Sequence, residues 1–210
     1  FFYAHHMSTI EGGMICTNDL KIYQQARMLR SHGMVREASD EATKEAYYKE
    51  NPDLHPDFIF SFPAYNVRNT EIGGIMGLSQ LKRLDENIQR RTDNFHRFLK
   101  QIDSNKYRTD FKLEGSSNYA FNLILNNPDD GFVIRLMDKM RESGLEFRRG
   151  SAGGGNQTRQ PYLKGIVPKD HYKSFPETEH IHFYGFYIGI FPDLKDEEID
   201  NICSILNSVE

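Results

Sequence analysis

Tryptophan is absent from this 210-residue chain, cysteine occurs only twice, and the charge balance leans slightly acidic, with a formal net charge of -4. Each shortage excludes something. Cys16 and Cys203 lie far apart, and neither sits in a metal-ligand spacing, so a disulfide framework is not expected and a reducing cytoplasm fits. No apolar run reaches the ~20 residues that a membrane-spanning helix needs, so no membrane is expected as a partner. No basic stripe offers a footprint for nucleic acid. What remains is a chain long enough for one domain or two small ones with a core of their own.

The most informative stretch is the first, Phe1-Phe2-Tyr3-Ala4-His5-His6-Met7-Ser8-Thr9-Ile10-Glu11-Gly12-Gly13. Aromatic residues suit a strand. Two adjacent imidazoles and a short polar turn follow, and then glycines that permit positive φ and close backbone approach. Met14-Ile15-Cys16 reads as a second short strand. On composition alone, a strand and turn with two ordinary hydrogen-bonded histidines suffices. A metal site is disfavoured, because neighbours on a strand face opposite sides.

The order of these residues resembles the active-site segment of the DegT/DnrJ/EryC1/StrS sugar aminotransferases, a family that uses pyridoxal 5'-phosphate (PLP). There an aromatic pair and a small residue precede Lys-Asn, and the segment ends in Glu-Gly-Gly. The lysine forms the Schiff base with PLP. Counting back from Glu11-Gly12-Gly13 puts His5 at the lysine position and His6 at the asparagine. Imidazole cannot form that Schiff base, but it moves protons near neutral pH. The exchange resembles the family's 3-dehydratase branch, which removes the C3 hydroxyl from nucleotide-linked 4-keto-6-deoxy sugars.

The resemblance implies an α/β fold, the C-terminal part of a PLP-dependent transferase of the aspartate aminotransferase type. The chain starts inside a strand-like run without a methionine and is expected to be a fragment. The missing half would carry the acidic partner of the pyridine nitrogen, a stacking aromatic and much of the phosphate cup. The isolated chain is therefore expected not to hold PLP tightly.

Further along, residues 19–31 read as a helix with an apolar face from Leu20, Tyr23, Ala26, Met28 and Leu29, capped by Asn18 or Asp19. Leu29-Arg30-Ser31-His32-Gly33 resembles the family's Leu-Arg-x-His-Gly. Gly33 is expected to end the helix, and His32 and Arg36 are open to a partner subunit or substrate. Residues 37–57 are polar, broken by Pro52 and Pro56, and expected to be a surface excursion of modest order, with a helical turn or two over 42–49.

Ala64-Tyr65-Asn66-Val67-Arg68 resembles the family's Gly-Tyr-Asn-x-Arg, whose asparagine reaches the PLP phosphate of the neighbouring subunit. That role falls on Asn66, flanked by the matching Tyr65 and Arg68, while Asn69 is expected only to shape the turn and cap a helix. One long helix is expected from Thr70 to about Leu99, with an apolar stripe belonging to the core and small residues Gly73, Gly74 and Gly77 allowing close packing. Part of it, residues 77–85, resembles the family's dimer-associated helix. A boundary is placed after residue 102. Residues 1–102 would end the large PLP-binding domain, and 103–210 would form a small α/β domain. Strands are expected over 119–125, 145–148 and 181–190, with helices over 132–142 and 195–209.

Arg148-Arg149-Gly150-Ser151-Ala152-Gly153-Gly154-Gly155-Asn156-Gln157-Thr158-Arg159-Gln160-Pro161 joins cationic forks to a glycine triplet. Arginine forks suit a diphosphate. The spacing is neither a Walker loop nor a Rossmann fingerprint. A glycine triplet alone is more often a turn. Together the residues resemble the 3-dehydratase branch's Arg-Pro-x-x-Ala-Gly-Asn-x-Thr-Arg-x-Pro, matched by Arg148, Gly153, Asn156, Thr158, Arg159 and Pro161 with one glycine inserted. Arg148, Asn156 and Arg159 are the implied sugar-nucleotide contacts. Residues 183–193 resemble the branch's Gly-Phe-Tyr-Ile-Gly-Asn-x-Pro, with Ile190 in place of asparagine. His180 and His182 would share a strand face, but no third ligand accompanies them, so no metal is expected.

The resemblance therefore implies a PLP- or pyridoxamine phosphate-dependent 3-dehydratase of a nucleotide-linked 4-keto-6-deoxyhexose, in deoxysugar biosynthesis for lipopolysaccharide. An amino donor such as glutamate would recharge the cofactor, the protein would be a homodimer, and His5 would be the base, with His6 as fallback. Two cysteines are too few for the iron–sulfur cluster of a sibling reaction. The alternatives are an aminotransferase relative with another proton transfer, and a non-catalytic dimeric homologue.

Overall fold

The computed structural model describes residues 1–210 except Tyr3 and residues 151–153. The chain forms two compact units, Phe1–Lys82 and Arg83–Glu210.

In the first unit, helix α1 (Leu20–Leu29) starts where Asp19 accepts hydrogen bonds from the Lys21 and Ile22 amides at 2.8 and 3.2 Å. It ends at two left-handed residues, His32 (φ 61°) and Gly33 (φ 73°). The Gly33 amide donates to Met28 O at 2.8 Å, and a Cβ on Gly33 would lie 2.3 Å from Phe62 O. Both the backbone angle and the close approach of the second strand-like segment require glycine here. Residues 59–67 run beside residues 30–35 through His32 N–Tyr65 O (2.6 Å), Val67 N–Arg30 O (2.9 Å), Val35 N–Ile59 O (3.0 Å) and Ser61 N–Gly33 O (2.9 Å).

The acidic excursion is better ordered than its composition suggests. Helix α2 (Glu41–Glu50) is capped by Asp40, whose carboxylate accepts from the Thr43 hydroxyl and amide at 2.6 and 2.9 Å. Those bonds hold the Asp40 carboxyl below its ordinary value. Tyr47 and Tyr48 pack on a small core of Met28, Val35, Ala38 and Ile59. Helix α3 (Glu71–Leu81) is capped by Thr70. Its Ile72, Ile75, Leu78 and Leu81 are 68, 69, 66 and 55 % exposed. The stripe expected to be core is therefore uncovered on this helix.

The expected single long helix is two. Arg83 leaves helical geometry (φ -110°, ψ 0°), and helix α4 (Leu84–Gln101) restarts with Asp85 and Glu86 in its first turn, where the helix dipole favours acids. Helix α4 belongs to the second unit, so the compact units divide twenty residues earlier than the boundary read from the polar linker. The reason is aromatic. Phe98 stacks on Phe121 at 4.3 Å and 11°, and Phe95 on the same ring at 6.1 Å.

Phe121 lies on strand β1 (Ala120–Ile124). Helix α5 (Asp130–Glu142), strand β2 (Phe147–Arg149), helix α6 (Pro176–Tyr184), strand β3 (Gly185–Gly189) and helix α7 (Asp196–Asn207) follow. The sheet is antiparallel, in the order β1-β3-β2, with Phe121 opposite Ile188 and Arg148 opposite Tyr187. Phe121, Leu123, Phe186 and Ile188 enter one core with Leu136 and Met140 of α5 and Ile199, Ile202 and Leu206 of α7. Residues 181–184, expected as strand, are the end of α6, so only the part from Gly185 pairs. The apolar run 181–190 does not distinguish a buried strand from a helix end by periodicity.

Candidate active site

In Phe1–Lys82 the candidate base sits on a turn. No strand forms over 1–2 or 14–16, contrary to the sequence reading. The run is instead tied into a turn: the Phe1 amine donates to Gly12 O at 2.8 Å, and Phe1 O accepts from the Thr9 amide at 2.9 Å. His5 is exposed, its amide donates to Phe2 O at 3.0 Å, and its ring meets Phe2 edge-on at 5.9 Å. His6 is half-buried. Beyond them Thr9 is buried, with its hydroxyl donating to Glu11 O at 2.9 Å. Ile10 takes a positive φ of 72°. A β-branched residue there carries about 1–2 kcal/mol of strain, of the kind that collects at functional turns. At Gly77 of α3 a Cβ would sit 3.5 Å from Thr9 and 3.8 Å from Met7, so the helix passes close to this turn.

Asn66 is exposed on the segment that pairs with Ser31. Arg68 Nε donates to Asn66 Oδ1 at 3.0 Å. An arginine nitrogen can only donate, so this contact fixes the amide orientation and leaves the Asn66 NH2 as the outward group. Asn69 Oδ1 accepts from the Thr70 amide at 2.7 Å, and Thr70 caps α3, so Asn69 shapes the helix start.

In Arg83–Glu210, Arg148 is exposed on β2, in a cross-strand row with Tyr187 and Asn122. Beside it, burial and the neighbouring Tyr187 raise the Tyr119 phenol above its ordinary value, while Arg148 pulls it back. Arg149 is also exposed and donates to Phe183 O at 2.9 and 3.3 Å.

Asn156 is 1 % exposed. Its Oδ1 accepts from the Thr158 amide and hydroxyl at 3.1 and 2.6 Å, and its Nδ2 donates to Glu179 at 3.2 Å. Arg159 donates from Nε to Glu179 at 2.6 Å, with its guanidinium 3.9 Å from the Tyr172 ring and 5.1 Å from that of Phe183. Gly153 lies outside the described residues.

His180 and His182 are on helix α6, two residues apart, and so do not share a face as a strand reading requires. His180 Nε2 contacts Leu125 O at 2.7 Å, and His182 Nδ1 accepts the Asn156 amide at 3.1 Å. Among the described residues no group of three His, Cys, Asp or Glu side chains could hold a metal ion. Sequence reading missed Glu179 and Tyr172. The one trace of Glu179 was an acid in the first turn of α6, which reads as an ordinary helix-start preference.

The chain matches the DegT/DnrJ/EryC1/StrS aminotransferase family over residues 1–207. It is 29 % identical over 208 residues to GDP-4-keto-6-deoxy-D-mannose 3-dehydratase of Escherichia coli O55:H7, covering 98 % of this chain and 52 % of that protein. It is 30 % identical over 206 residues to the enzyme of that name from Yersinia pseudotuberculosis, covering 98 % and 52 %. The fold superposes on a crystal structure of GDP-4-keto-6-deoxymannose-3-dehydratase with a trapped PLP-glutamate geminal diamine, at a TM-score of 0.77 and 25 % identity, covering 98 % of this chain and 53 % of that one. The chain thus spans about half the length of the relatives it matches.

Proposed function

The chain belongs to the DegT/DnrJ/EryC1/StrS aminotransferase family, and on that premise we propose that it is part of a PLP-dependent 3-dehydratase acting on a nucleotide-linked 4-keto-6-deoxyhexose. The observation that carries this reading is His5, an exposed imidazole on the turn before Glu11-Gly12-Gly13, where the family's motif places lysine. The first relatives compared are both 3-dehydratases.

The residues present suit the cofactor. The outward NH2 of Asn66, with its oxygen held by Arg68, is a donor matched to a phosphate oxygen. When bound, PLP or pyridoxamine phosphate supplies an electron sink next to the reacting carbon. His5 holds and moves the proton. Its imidazole would take the proton from carbon and deliver it to the C3 hydroxyl oxygen, which would leave as water. Because imidazole forms no Schiff base, the family's transamination step has no lysine to use. Arg148 and Arg159 would contact the diphosphate, and Asn156, whose oxygen is already engaged, would hold the loop that carries Arg159. Glutamate would be the amino donor.

A homodimer fits the uncovered stripe on α3. Among the described residues no helix is long and apolar enough to cross a membrane, and a cytoplasmic location is part of the same proposal.

The test is product analysis by mass spectrometry. The natural protein is incubated with PLP, glutamate and GDP- or CDP-linked 4-keto-6-deoxy sugars. The expected product has lost the C3 oxygen and gained no nitrogen. An amino sugar would overturn the reading in favour of a transaminase, and no turnover would favour a non-catalytic dimer.

A further inference from the structure

The loop 154–160 and helix α6 are joined by a set of polar contacts that the dehydratase reading does not use. Glu179 sits at their centre. One carboxylate oxygen accepts from Arg159 Nε at 2.6 Å and the other from Asn156 Nδ2 at 3.2 Å. His182 Nδ1 accepts the Asn156 amide at 3.1 Å. Gly155 passes so close that a Cβ would lie 2.4 Å from that ring nitrogen, and its φ is 84°.

The guanidinium of Arg159 is held in three ways. Tyr172 lies 3.9 Å from it and Phe183 5.1 Å, and Glu179 occupies its Nε edge. Its two terminal nitrogens have no hydrogen-bond partner among the described residues. A planar fork fixed by stacking and by one carboxylate has lost most of its rotamer freedom before any ligand arrives. The open edge is the one that grips two oxygens of a phosphate.

A carboxylate beside a ligand-binding arginine can also act as a competitor, by neutralising it. The geometry argues otherwise, because Glu179 takes the Nε edge and anchors Asn156 with its second oxygen. We propose that Glu179 is a positioning residue, which presents Arg159 to the diphosphate of the substrate. The proposal rests on the reading of Arg159 as a diphosphate contact.

The experiment combines two readouts on wild type, Glu179→Ala and Glu179→Gln. One is the Arg159 Nε–H resonance in side-chain NMR. The other is titration with inorganic pyrophosphate, the group common to GDP and CDP sugars. Wild type should show a resolved, slowly exchanging Arg159 signal. Glu179→Ala should lose it and bind pyrophosphate about tenfold more weakly. Glu179→Gln, which keeps an acceptor oxygen, should recover most of both. An unchanged Arg159 signal or equal or tighter pyrophosphate binding in Glu179→Ala, or tighter binding in Glu179→Gln, overturns the proposal. If Glu179→Ala does not fold, Glu179→Gln decides, because a competitor predicts tighter binding there. Absence of pyrophosphate binding by wild type is a different result. It overturns the diphosphate role of this loop, and the Arg159 signal alone then decides whether Glu179 orders the guanidinium.

Discussion

Among the described residues, the unit Arg83–Glu210 gathers nineteen into one buried cluster, from Phe95 to Val209, whereas Phe1–Lys82 buries a cluster of four and leaves Ile72, Ile75, Leu78 and Leu81 in the open. The two units carry different parts of the proposed chemistry. His5 and Asn66, the proposed base and phosphate contact, lie in the unit with the smaller core, and Arg148 and Arg159, the proposed substrate contacts, in the larger. The larger unit holds its site by side chains, through Glu179, Asn156 and stacked rings. The smaller holds its own by backbone, through the left-handed His32 and Gly33, the strained Ile10 and the ladder from Leu29 to Val67. A site built on backbone geometry in a thin core depends on conformation at a few positions, and one built on a thick core depends on packing volume.

That contrast can be broken most forcefully in the core. Phe98→Ala removes a ring stacked on Phe121 and buried to 1 %. It should cost about 3–5 kcal/mol, read by denaturant unfolding, with probes in residues 1–82 far less affected. The matching change in the smaller unit is Gly33→Ala, which removes no contact but forces a Cβ against Phe62 O at a positive φ. Strain of about 2–3 kcal/mol is expected, read by hydrogen exchange confined to the α1 end. An effect spread evenly over both units, for either variant, would argue against two separately held sites.

The α4–α7 contact sharpens the comparison through pH. Arg97 and Gln101 donate to Asp200, and the bond from Arg97 holds the Asp200 carboxyl below its ordinary value of 3.8. A depressed folded-state value stabilises the unit above the unfolded value and is lost as pH falls through the folded one. The melting temperature of Asp200→Asn should therefore lie below wild type at pH 7, and the difference should shrink below about pH 4. The smallest effect on stability is expected on α3. Ile75→Lys should change unfolding by no more than about 0.5 kcal/mol, while lowering the mass seen by sedimentation if the exposed stripe is the dimer contact.

The motif ending at Glu11-Gly12-Gly13 is what singles out His5 for the proposed proton transfer, and the caps at Asp19 and Gly33 were readable because they follow from local backbone chemistry. The break at Lys82-Arg83 was hidden, because apolar spacing continues across it while the burial partner changes. The helix at 176–184 was hidden in a run of mixed aromatics and histidines that suits either secondary structure. Glu179 was invisible for a simpler reason: its partners Asn156 and Arg159 are 23 and 20 residues away, and only the fold brings them together.

The most direct measurement asks whether position 5 bonds the cofactor. The natural protein and its His5→Lys variant are saturated with PLP, reduced with borohydride and digested for mass spectrometry. A proton-moving His5 predicts no pyridoxyl adduct at position 5 in wild type and a stable one in His5→Lys. A wild-type adduct on another lysine, or no adduct in His5→Lys, would contradict the placement of His5 at the family's lysine position.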